Sequence, residues 1–590
     1  MKKTEILYLL VGSSVFFYII VRAIFVPPYF DEIITFFTYI QKGDFIPFFA
    51  RTDANNHLIN SFLSYVFTKT FGEHFFFIRL ASALSIVVLM IYLWKFKKFF
   101  ESKTINFALF LVVVTTTYLT DFFILSRGYG LSIAFLAATL YHLINYNYSN
   151  NKKNIYFTLF FSTIALWSNL SFIVPVIIVW GLVIIIHINK NSISLKQSFL
   201  YLSKPYLFFS PLLIFGIIYS FKLKNAGSLY FGSDGGLIDA VFIKLSAEIA
   251  GSYFNGNIIL VIFTTIYLLS LTLCIIYKQL KNSNLIVQSL FGLTIIGYML
   301  LHNILGVKYP QERAALQIYL LFMVALFFAI DNIKLKVLKY LFTLPTLIIT
   351  VQFFHLLNFK HIQHWKNQTV PYSVYEHVYT WQQNNNTKPT ISGNRLLGKV
   401  LDYYDYTNEG KLNSTRDDVP PSKIADFIIT NNWVNNTCDY DTIIHVKETS
   451  VTLMQRKKLV EWELVFTKTI KDTIVYGEFF NLTELSTKEL KRKPACFDVK
   501  FNTQSKDFPF ISFIVCTANN ANNEQISYTN YDLQIVKANI KERSTIHRKL
   551  FYDFMLEDTE KVIVYLWFLN NKHGVRISNV EVKIYKATAN

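Results

Sequence analysis

Long apolar runs separated by short polar loops fill the first 357 residues of the chain. A transmembrane helix needs about 20 mostly apolar residues to cross the hydrocarbon core of a bilayer. Eleven runs are candidates, at residues 5–26, 75–96, 105–125, 131–148, 155–169, 172–188, 199–221, 258–277, 285–305, 314–330 and 335–357. The runs 155–169 and 172–188 are short, and we predict that they form a partly re-entrant pair.

The pattern becomes polar and asparagine-rich after residue 357, which predicts a separate region outside the membrane. Helical periodicity at 374–383 and 394–404, with strand-like runs at 427–430 and 442–446, predicts a small α/β module over 358–470. Residues 471–590 hold short alternating runs, which are typical of a β-sandwich. These runs lie at 474–480, 497–501, 510–517, 531–538, 549–555, 562–568 and 578–585.

Composition supports this division of the chain. Hydrophobic residues make up 52% of the 590 positions, more than a soluble globular chain usually has. The sequence therefore predicts a polytopic α-helical membrane protein of about eleven spans over residues 1–357. It is followed by the α/β module and the β-sandwich.

The distribution of lysine predicts the orientation, because positive residues stay on the cytoplasmic side. Every second short loop is lysine-rich, and the remaining loops hold most of the carboxylates. An odd number of spans then places the C-terminal tail in the periplasm of a bacterial inner-membrane protein. Most of the net charge of +18 lies in the cytoplasmic loops, so nucleic acid is not an expected partner.

Cysteine and histidine give weaker signals. Cys496 and Cys516, in the tail, could form a disulfide in an oxidising compartment. His355, His361 and His364 follow one another near the end of the last predicted span. We interpret them as interfacial residues and not as metal ligands, because no carboxylate lies near them in the sequence at ligand spacing.

Asp31 and Glu32 form the most informative polar pair of the apolar half. They directly follow the first span, and charged groups beside a bilayer are costly and commonly functional. A solvated helix start is the alternative interpretation of this pair. Residues 36–71 are too polar to span lipid, but their aromatic and aliphatic residues at helical spacing predict short helices on the membrane surface.

Six short motifs on the predicted external face give the apolar half a family resemblance. They are Phe30-Asp31-Glu32, Asn55-Asn56-His57, Phe71-Gly72, Arg79-Leu80, Ser126-Arg127-Gly128-Tyr129 and Tyr309-Pro310-Gln311-Glu312-Arg313. Together they resemble the polyprenyl-phosphate-dependent GT-C glycosyltransferases, in the branch of the protein O-mannosyltransferases and lipid A aminoarabinose transferases. The sequence departs from the pattern of this family at Asn56-His57. Many members carry Lys-Pro there, and their lysine contacts the carrier phosphate.

The resemblance implies an inverting sugar transfer from a polyprenyl-phosphate carrier. It assigns Asp31 as the base that takes the proton of the acceptor hydroxyl. For Glu32 it leaves three roles open: orienting Asp31, binding the acceptor, or holding a divalent cation such as Mg²⁺ or Mn²⁺. The anionic phosphate needs fixed cations, and the residues assigned to it are Arg79, Arg127, Tyr129, Lys308 and Arg313. Those assigned to the substrate or acceptor are Asp53, His57 and Glu312.

Several of these assignments have structural alternatives. Arg79 could cap a helix, and Arg127 with Tyr129 could anchor the chain at the membrane interface. Glu312 could form an ion pair with its neighbour Arg313. In the tail, Trp567 could stack on a sugar or fill the sandwich core.

The expected partners are a polyprenyl-phosphate sugar donor, a glycan, lipid or protein acceptor, and membrane lipids. Three other functions remain open: a transporter or flippase of a lipid-linked substrate, an O-antigen-ligase-like glycan transferase, and a membrane-tethered adhesion protein. A transporter commonly shows ionisable groups at mid-membrane or inverted repeats, and this sequence shows neither. An O-antigen-ligase-like enzyme would lack the early Asp-Glu pair.

Overall fold

The structure is a computed structural model that describes residues 3–149, 151–191, 194–251, 253–413, 415–417, 422–431, 439–488, 490, 493–505, 512–533, 544–552, 558–569, 571 and 574–588. Its helices are α1 (Lys3–Phe25), α2 (Phe30–Thr35), α3 (Leu58–Phe71), α4 (Phe75–Lys95), α5 (Lys103–Val114), α6 (Thr117–Ile124), α7 (Tyr129–Tyr148), α8 (Lys153–Ser168), α9 (Ile173–Asn191), α10 (Leu195–Asn225), α11 (Lys244–Ala250), α12 (Gly256–Ile276), α13 (Asn282–Leu305), α14 (Leu316–Asn332), α15 (Lys336–Thr343), α16 (Ile348–His355), α17 (Tyr372–Asn385) and α18 (Arg395–Thr407). Its strands are β1 (Ile391–Gly393), β2 (Arg416–Asp417), β3 (Phe427–Thr430), β4 (Tyr440–Val446), β5 (Val451–Arg456), β6 (Trp462–Ile470), β7 (Thr473–Val475), β8 (Phe479–Ser486), β9 (Ala495–Ser505), β10 (Ser512–Asn519), β11 (Gln525–Asp532), β12 (Ser544–Tyr552), β13 (Lys561–Phe568) and β14 (Val575–Ala587).

Eight helical segments of the described chain are long and apolar enough to cross a membrane. They are Thr4–Phe25, Phe75–Lys98, Leu170–Asn191, Leu200–Asn225, Gly256–Ile276, Asn282–Leu305, Glu312–Asn332 and Lys336–His355. Together α5 and α6 give a ninth candidate, bent by 59° at its break. The chain is a multi-pass membrane protein, and the prediction of a polytopic helical half followed by a β-rich tail is confirmed.

Several predicted spans take a different form. α7 carries tyrosine, histidine and asparagine in its C-terminal half, and α8 has only 16 residues. The predicted re-entrant pair is wrong, because Leu170–Asn191 is by itself a 22-residue candidate span. The sharp bend lies instead between α5 and α6, where the hydroxyls of Thr115 and Thr116 donate to the carbonyls of Leu111 and Val112. Such back-bonding to the preceding turn bends helices.

The chain divides into two compact units. The membrane unit comprises Met1–Val26 and Gly43–His364, and the C-terminal unit comprises Pro27–Lys42 and Trp365–Asn590. The segment between the first span and residue 42 therefore belongs to the C-terminal unit. Of the predicted surface helices, α3 lies in the membrane unit, whereas Phe36–Ile40 is a mostly buried π-helical turn of the C-terminal unit.

The α/β module is a five-stranded sheet with the order β2-β1-β3-β5-β4. β1 pairs in parallel with β2 and β3, and β5 runs antiparallel to β3 and β4. α17 and α18 occupy the two predicted helical stretches, and β3 coincides with the predicted strand 427–430. β6 pairs with β14 of the sandwich, so the sandwich begins at Trp462, before the boundary expected at residue 470.

The β-sandwich consists of one sheet ordered β11-β10-β13-β8 and a second ordered β12-β9-β14-β6, with β7 paired to β14. Alternate residues of β13 are buried in the core between the sheets. Trp567 is half-buried on the opposite face and contacts Phe479, so it does not fill the core. Cys496 and Cys516 are buried free thiols. The suggested disulfide between them is therefore not formed in this structure.

Candidate functional site

The membrane unit contains a cavity of about 420 Å³ whose wall is mostly apolar. Polar and aromatic side chains of the loop before α3, the start of α7 and the loop before α14 reach it. They are Asn56, His57, Tyr129, Lys308 and the nearby Tyr298 of α13. Pro310 also lines the cavity, so three of the motifs found in the sequence contribute to it.

The loop before α3 is shaped by its own side chains. Asp53 Oδ1 accepts a hydrogen bond from the Asn55 backbone N–H at 2.8 Å, forming an Asx turn. Asn56 donates through Nδ2 to the carbonyl of Phe45 at 2.9 Å. The Asn55 amide oxygen accepts from Arg127 Nη2 at 2.9 Å. Asp53, predicted to contact substrate, therefore builds the loop that carries His57.

His57 is a buried, neutral histidine in the wall of the cavity. Burial lowers the pKa of its imidazole well below the usual value, and the positive charges of Arg127 and, more weakly, Arg313 lower it further. Nδ1 lies 3.1 Å from the carbonyl oxygen of Ser168, which can only accept, so Nδ1 carries the proton. Nε2 is then an acceptor, and it has no hydrogen-bond partner among the described residues.

The Arg-Gly-Tyr motif is packed tightly against this histidine. The ring of Tyr129 lies edge-on to His57 with centroids 5.3 Å apart, and the Arg127 guanidinium lies 6.0 Å from the Tyr129 centroid. A Cβ at Gly128 would overlap the Ser168 carbonyl and come within 3.0 Å of the His57 Cβ. Glycine at this position is required by that close approach.

Two further predicted cations lie in the loop that precedes α14. Lys308 lines the cavity and sits 3.7 Å from Asp234 in an exposed pair, which is worth little by itself. The Arg313 guanidinium lies 4.2 Å from the ring of Phe231. Lys308 therefore lines the cavity itself, whereas Arg127 and Arg313 lie against the lining residues Tyr129 and Phe231.

Arg79 has the structural role that the sequence left open. It is fully buried, and its Nη1 donates to the carbonyls of Val26 at 2.7 Å and Ala23 at 3.3 Å. These carbonyls belong to the last turn of α1 and the residue that follows it, and the last carbonyls of a helix have no partner within it. Arg79 thus caps α1.

An apolar groove of about 490 Å³ continues from the cavity between α9 and α13. Val174, Ile177, Leu301 and Leu305 line both the cavity and the groove. On α9 the lining runs from Val174 to Ile185, which at 1.5 Å per residue is about 17 Å. The sequence analysis missed the groove, because its walls lie more than 100 residues apart and look like ordinary spans.

Glu312, for which the sequence left an ion pair with Arg313 open, lies beside His364. Its carboxylate faces His364, at 3.9 Å from Nε2. Together with Glu248 these two side chains form a group of potential metal ligands in the described part of the chain. The sequence analysis interpreted His364 as an interfacial residue because no carboxylate lies near it in the sequence. In the structure, α11 and the loop before α14 bring two carboxylates to it from distant parts of the chain.

Asp31 and Glu32 lie in the first turn of α2, in the C-terminal unit. Glu32 is fully buried, and its Oε2 accepts a hydrogen bond from the Tyr29 backbone N–H at 3.2 Å. Asp31 is half-buried at a helix N-terminus, where the helix dipole favours a negative charge. Asp31 and Glu32 therefore belong to a different compact unit from the predicted cations.

The solved structures that are similar to this chain include an ArnT and an EmbB. The crystal structure of ArnT from Cupriavidus metallidurans bound to undecaprenyl phosphate aligns over 76% of this chain and 97% of that chain, with a TM-score of 0.44 and 9% sequence identity. The cryo-EM structure of the arabinosyltransferase EmbB from Mycobacterium smegmatis aligns over 98% of this chain and 64% of that chain, with a TM-score of 0.39 and 10% identity. No family model matches the chain, and no curated protein sequence matches it significantly.

Proposed function

We propose that the protein is a membrane glycosyltransferase that moves a sugar from a polyprenyl-phosphate carrier to an acceptor at the external face of a bacterial inner membrane. The observation that carries this proposal is the continuity of the cavity and the groove, which share four lining residues. The cavity has polar groups in its wall and the groove is apolar. A polyprenyl phosphate likewise has an anionic head and a long apolar chain. The head would bind in the cavity and the chain between α9 and α13.

The polar part of the cavity suits a phosphate for electrostatic reasons. Arg127 and Arg313 provide positive charge that already depresses the pKa of His57, and Lys308 lines the wall. Fixed cations hold an anion most strongly where water is excluded. In this proposal the neutral His57 stands at the position where many members of the family that the sequence resembles have a lysine. Arg127, Arg313 and Lys308 supply the positive charge in its place.

The transfer itself is proposed to be a single displacement with inversion. The acceptor hydroxyl oxygen bonds to the anomeric carbon while the bond from that carbon to the carrier phosphate oxygen breaks, and the electron pair leaves with the phosphate. Asp31 takes the hydroxyl proton as general base. Glu32, bonded to the Tyr29 N–H at the start of α2, positions the turn that carries Asp31.

The first test is sugar transfer by the purified protein in detergent from a panel of polyprenyl-phosphate sugars. We expect Asp31→Asn to lower turnover about 100-fold or more, since general-base catalysis contributes about 10²–10⁴-fold. Binding of the carrier should be unchanged in this variant. Asp44→Asn is the matched control, because Asp44 is an exposed aspartate of the same polar region.

The outcomes separate the competing functions. Wild-type turnover in Asp31→Asn would remove Asp31 as the base and leave the transferase intact. If the wild type binds the carrier but consumes no donor of the panel, a transporter or flippase of a lipid-linked substrate becomes the better explanation. If the carrier does not bind, the assignment of the groove fails.

A further inference from the structure

Three ligand-type side chains from distant parts of the sequence meet in the membrane unit. Glu248 lies on α11, Glu312 begins the turn before α14, and His364 follows α16. One ligand atom from each lies within 4.8 Å of the others. Nδ1 of His364 contacts the Glu248 carboxylate, and Nε2 lies 3.9 Å from Glu312 Oε2. All three residues are half-buried, so the cluster is shielded from solvent and still accessible to an ion.

The backbone at Glu312 is strained. Its φ is +49°, in the left-handed region that residues with a Cβ rarely adopt. Such a conformation costs about 1–3 kcal/mol and persists only where the surrounding structure imposes it. In this chain it accompanies the placement of the Glu312 carboxylate beside His364.

A buried ion pair holds the segment that carries His364. Arg22 Nη1 lies 2.6 Å from Asp121 Oδ1, and both side chains are almost fully buried. Arg22 Nη2 donates to the His361 carbonyl at 2.8 Å, and the Gln363 N–H donates to Asp121 Oδ2 at 3.0 Å. Because removing one partner of a buried pair is strongly destabilising, this segment has little freedom to move away.

α11 is held at its end in a similar way. Gln352 of α16 donates through Nε2 to the carbonyls of Ile249 and Ala250, both at 2.8 Å. These are the last two residues of α11, directly after Glu248. The ligand group is therefore preorganised by α1, α6 and α16.

An unsatisfied phenol provides a second, independent sign of a ligand. Tyr118 of α6 is 3% exposed, and its ring lies edge-on to His364 with centroids 5.3 Å apart. The charges of Glu248, Glu312 and Arg313 all act on its hydroxyl. This hydroxyl has no hydrogen-bond partner in the described part of the chain, although buried hydroxyls normally have one.

We infer that Glu248, Glu312 and His364 bind a divalent first-row transition-metal ion of the zinc type. An imidazole nitrogen with carboxylate oxygens is a zinc ligand set, whereas Mg²⁺ and Ca²⁺ prefer oxygen alone. Three protein ligands leave a fourth position for water or substrate, and that water would give the Tyr118 hydroxyl its partner. The site does not depend on the proposed sugar transfer, and it differs from the Mg²⁺ or Mn²⁺ expected beside Glu32.

Metal retention by the full-length purified protein tests this inference. The protein is loaded with Zn²⁺, passed through metal-free gel filtration in detergent, and measured by inductively coupled plasma mass spectrometry. We expect about one zinc ion per wild-type chain, and retention at least about tenfold weaker in Glu248→Gln and His364→Asn. X-ray absorption of the loaded wild type should show one nitrogen-type imidazole ligand with oxygen ligands.

His355→Asn is the matched control, since His355 is an exposed histidine of α16 stacked on Tyr253. It should retain zinc like the wild type. Zinc should also raise the unfolding temperature of the wild type and of His355→Asn, but not that of the two ligand variants. Absence of retained zinc, equal retention by all variants, or retention of Mg²⁺ in preference to Zn²⁺ would each overturn the inference.

Discussion

Two histidines of the membrane unit have opposite surroundings. His57 is fully enclosed, with Arg127 and Arg313 acting on it, and its pKa is held well below the usual value by burial and by these cations. His364 is half-buried, and each of its ring nitrogens faces a carboxylate, from Glu248 and Glu312. The same side chain therefore sits in a cation-rich pocket in one place and in an anion-rich pocket in the other.

The difference shows that the neighbours decide what an imidazole binds. Around His57, burial and then the positive charges disfavour protonation of the imidazole, and these charges favour an incoming anion such as a phosphate. Around His364 the carboxylates favour an incoming cation. Glu312 and Arg313 are consecutive, so the chain supplies one group to each pocket from the same turn. The predictions below test whether the two pockets act separately.

In and beside the pocket of His57, closing the groove is expected to have the largest effect. Gly181 of α9 lines the groove. A Cβ atom at this position would have no other atom within 4 Å, so the side chain of Gly181→Trp should extend into the groove and fill it. Each buried CH₂ of a lipid chain contributes about 0.8 kcal/mol, so excluding two of them weakens binding about tenfold. Carrier affinity in detergent measures this effect, while zinc retention should stay unchanged.

Gly292→Trp is the control for this change. Gly292 lies on α13 in equally open space but does not line the groove. Equal loss of affinity in both variants would mean that tryptophan disturbs the helices in general. Unchanged affinity in Gly181→Trp would remove the groove as the site of the lipid chain.

The next effect concerns stability and pH at His57. Its pKa is lowered in the folded state, so below the ordinary value of about 6.5 the unfolded chain binds a proton more readily than the folded one. Stability should therefore fall from about pH 6.5 downward, by up to about 1.4 kcal/mol per pH unit, and show no contribution from His57 above that range. His57→Gln should flatten this fall in the unfolding temperature, and His355→Gln should not. An identical pH profile in His57→Gln and the wild type would contradict the assignment of a buried neutral imidazole.

The smallest effect is expected at Lys308. Its side chain is partly exposed, and an exposed charge pair is worth about 0.2–1 kcal/mol. Lys308→Gln should therefore weaken carrier binding by up to about fivefold at low salt, and added salt should reduce the difference. Lys69→Gln, at an exposed position near the end of α3, is the control and should bind the carrier like the wild type. A loss at Lys308 that salt does not affect would indicate a role other than charge.

Much of the fold followed from local patterns. The strand 427–430 was predicted to the residue, and the alternation of β13 identified a strand with one buried face. The apolar runs predicted a multi-pass protein because a span is a property of about 20 consecutive residues. The bend between α5 and α6 was missed, because Thr115 and Thr116 look like tolerable residues in an apolar run and act through hydrogen bonds to the preceding turn.

The candidate site was predictable only in part. Motif order singled out His57, Arg127 and Tyr129, and Lys308 was added as a cation near the same surface. These residues do line or adjoin one cavity. From the sequence, Arg79 could not be distinguished from the other cations assigned to the phosphate, but in the structure it caps α1. A cation near a helix end can bind a carbonyl or a ligand with the same chemistry, and the distinction depends on which backbone atoms lie within reach.

Local sequence patterns are sufficient to specify the membrane class of this protein, its polar tail with the sandwich and the positions of its charged motifs. Each of these features depends on residues that are close together in the chain. Three-dimensional packing was needed to establish that α9 and α13 enclose a groove, that α2 belongs to the C-terminal unit, and that Glu248, Glu312 and His364 meet. The reason is that these arrangements join segments tens to hundreds of residues apart. Their contacts depend on how whole helices pack against one another. The hydrophobic periodicity within a single segment does not specify which segment it packs against.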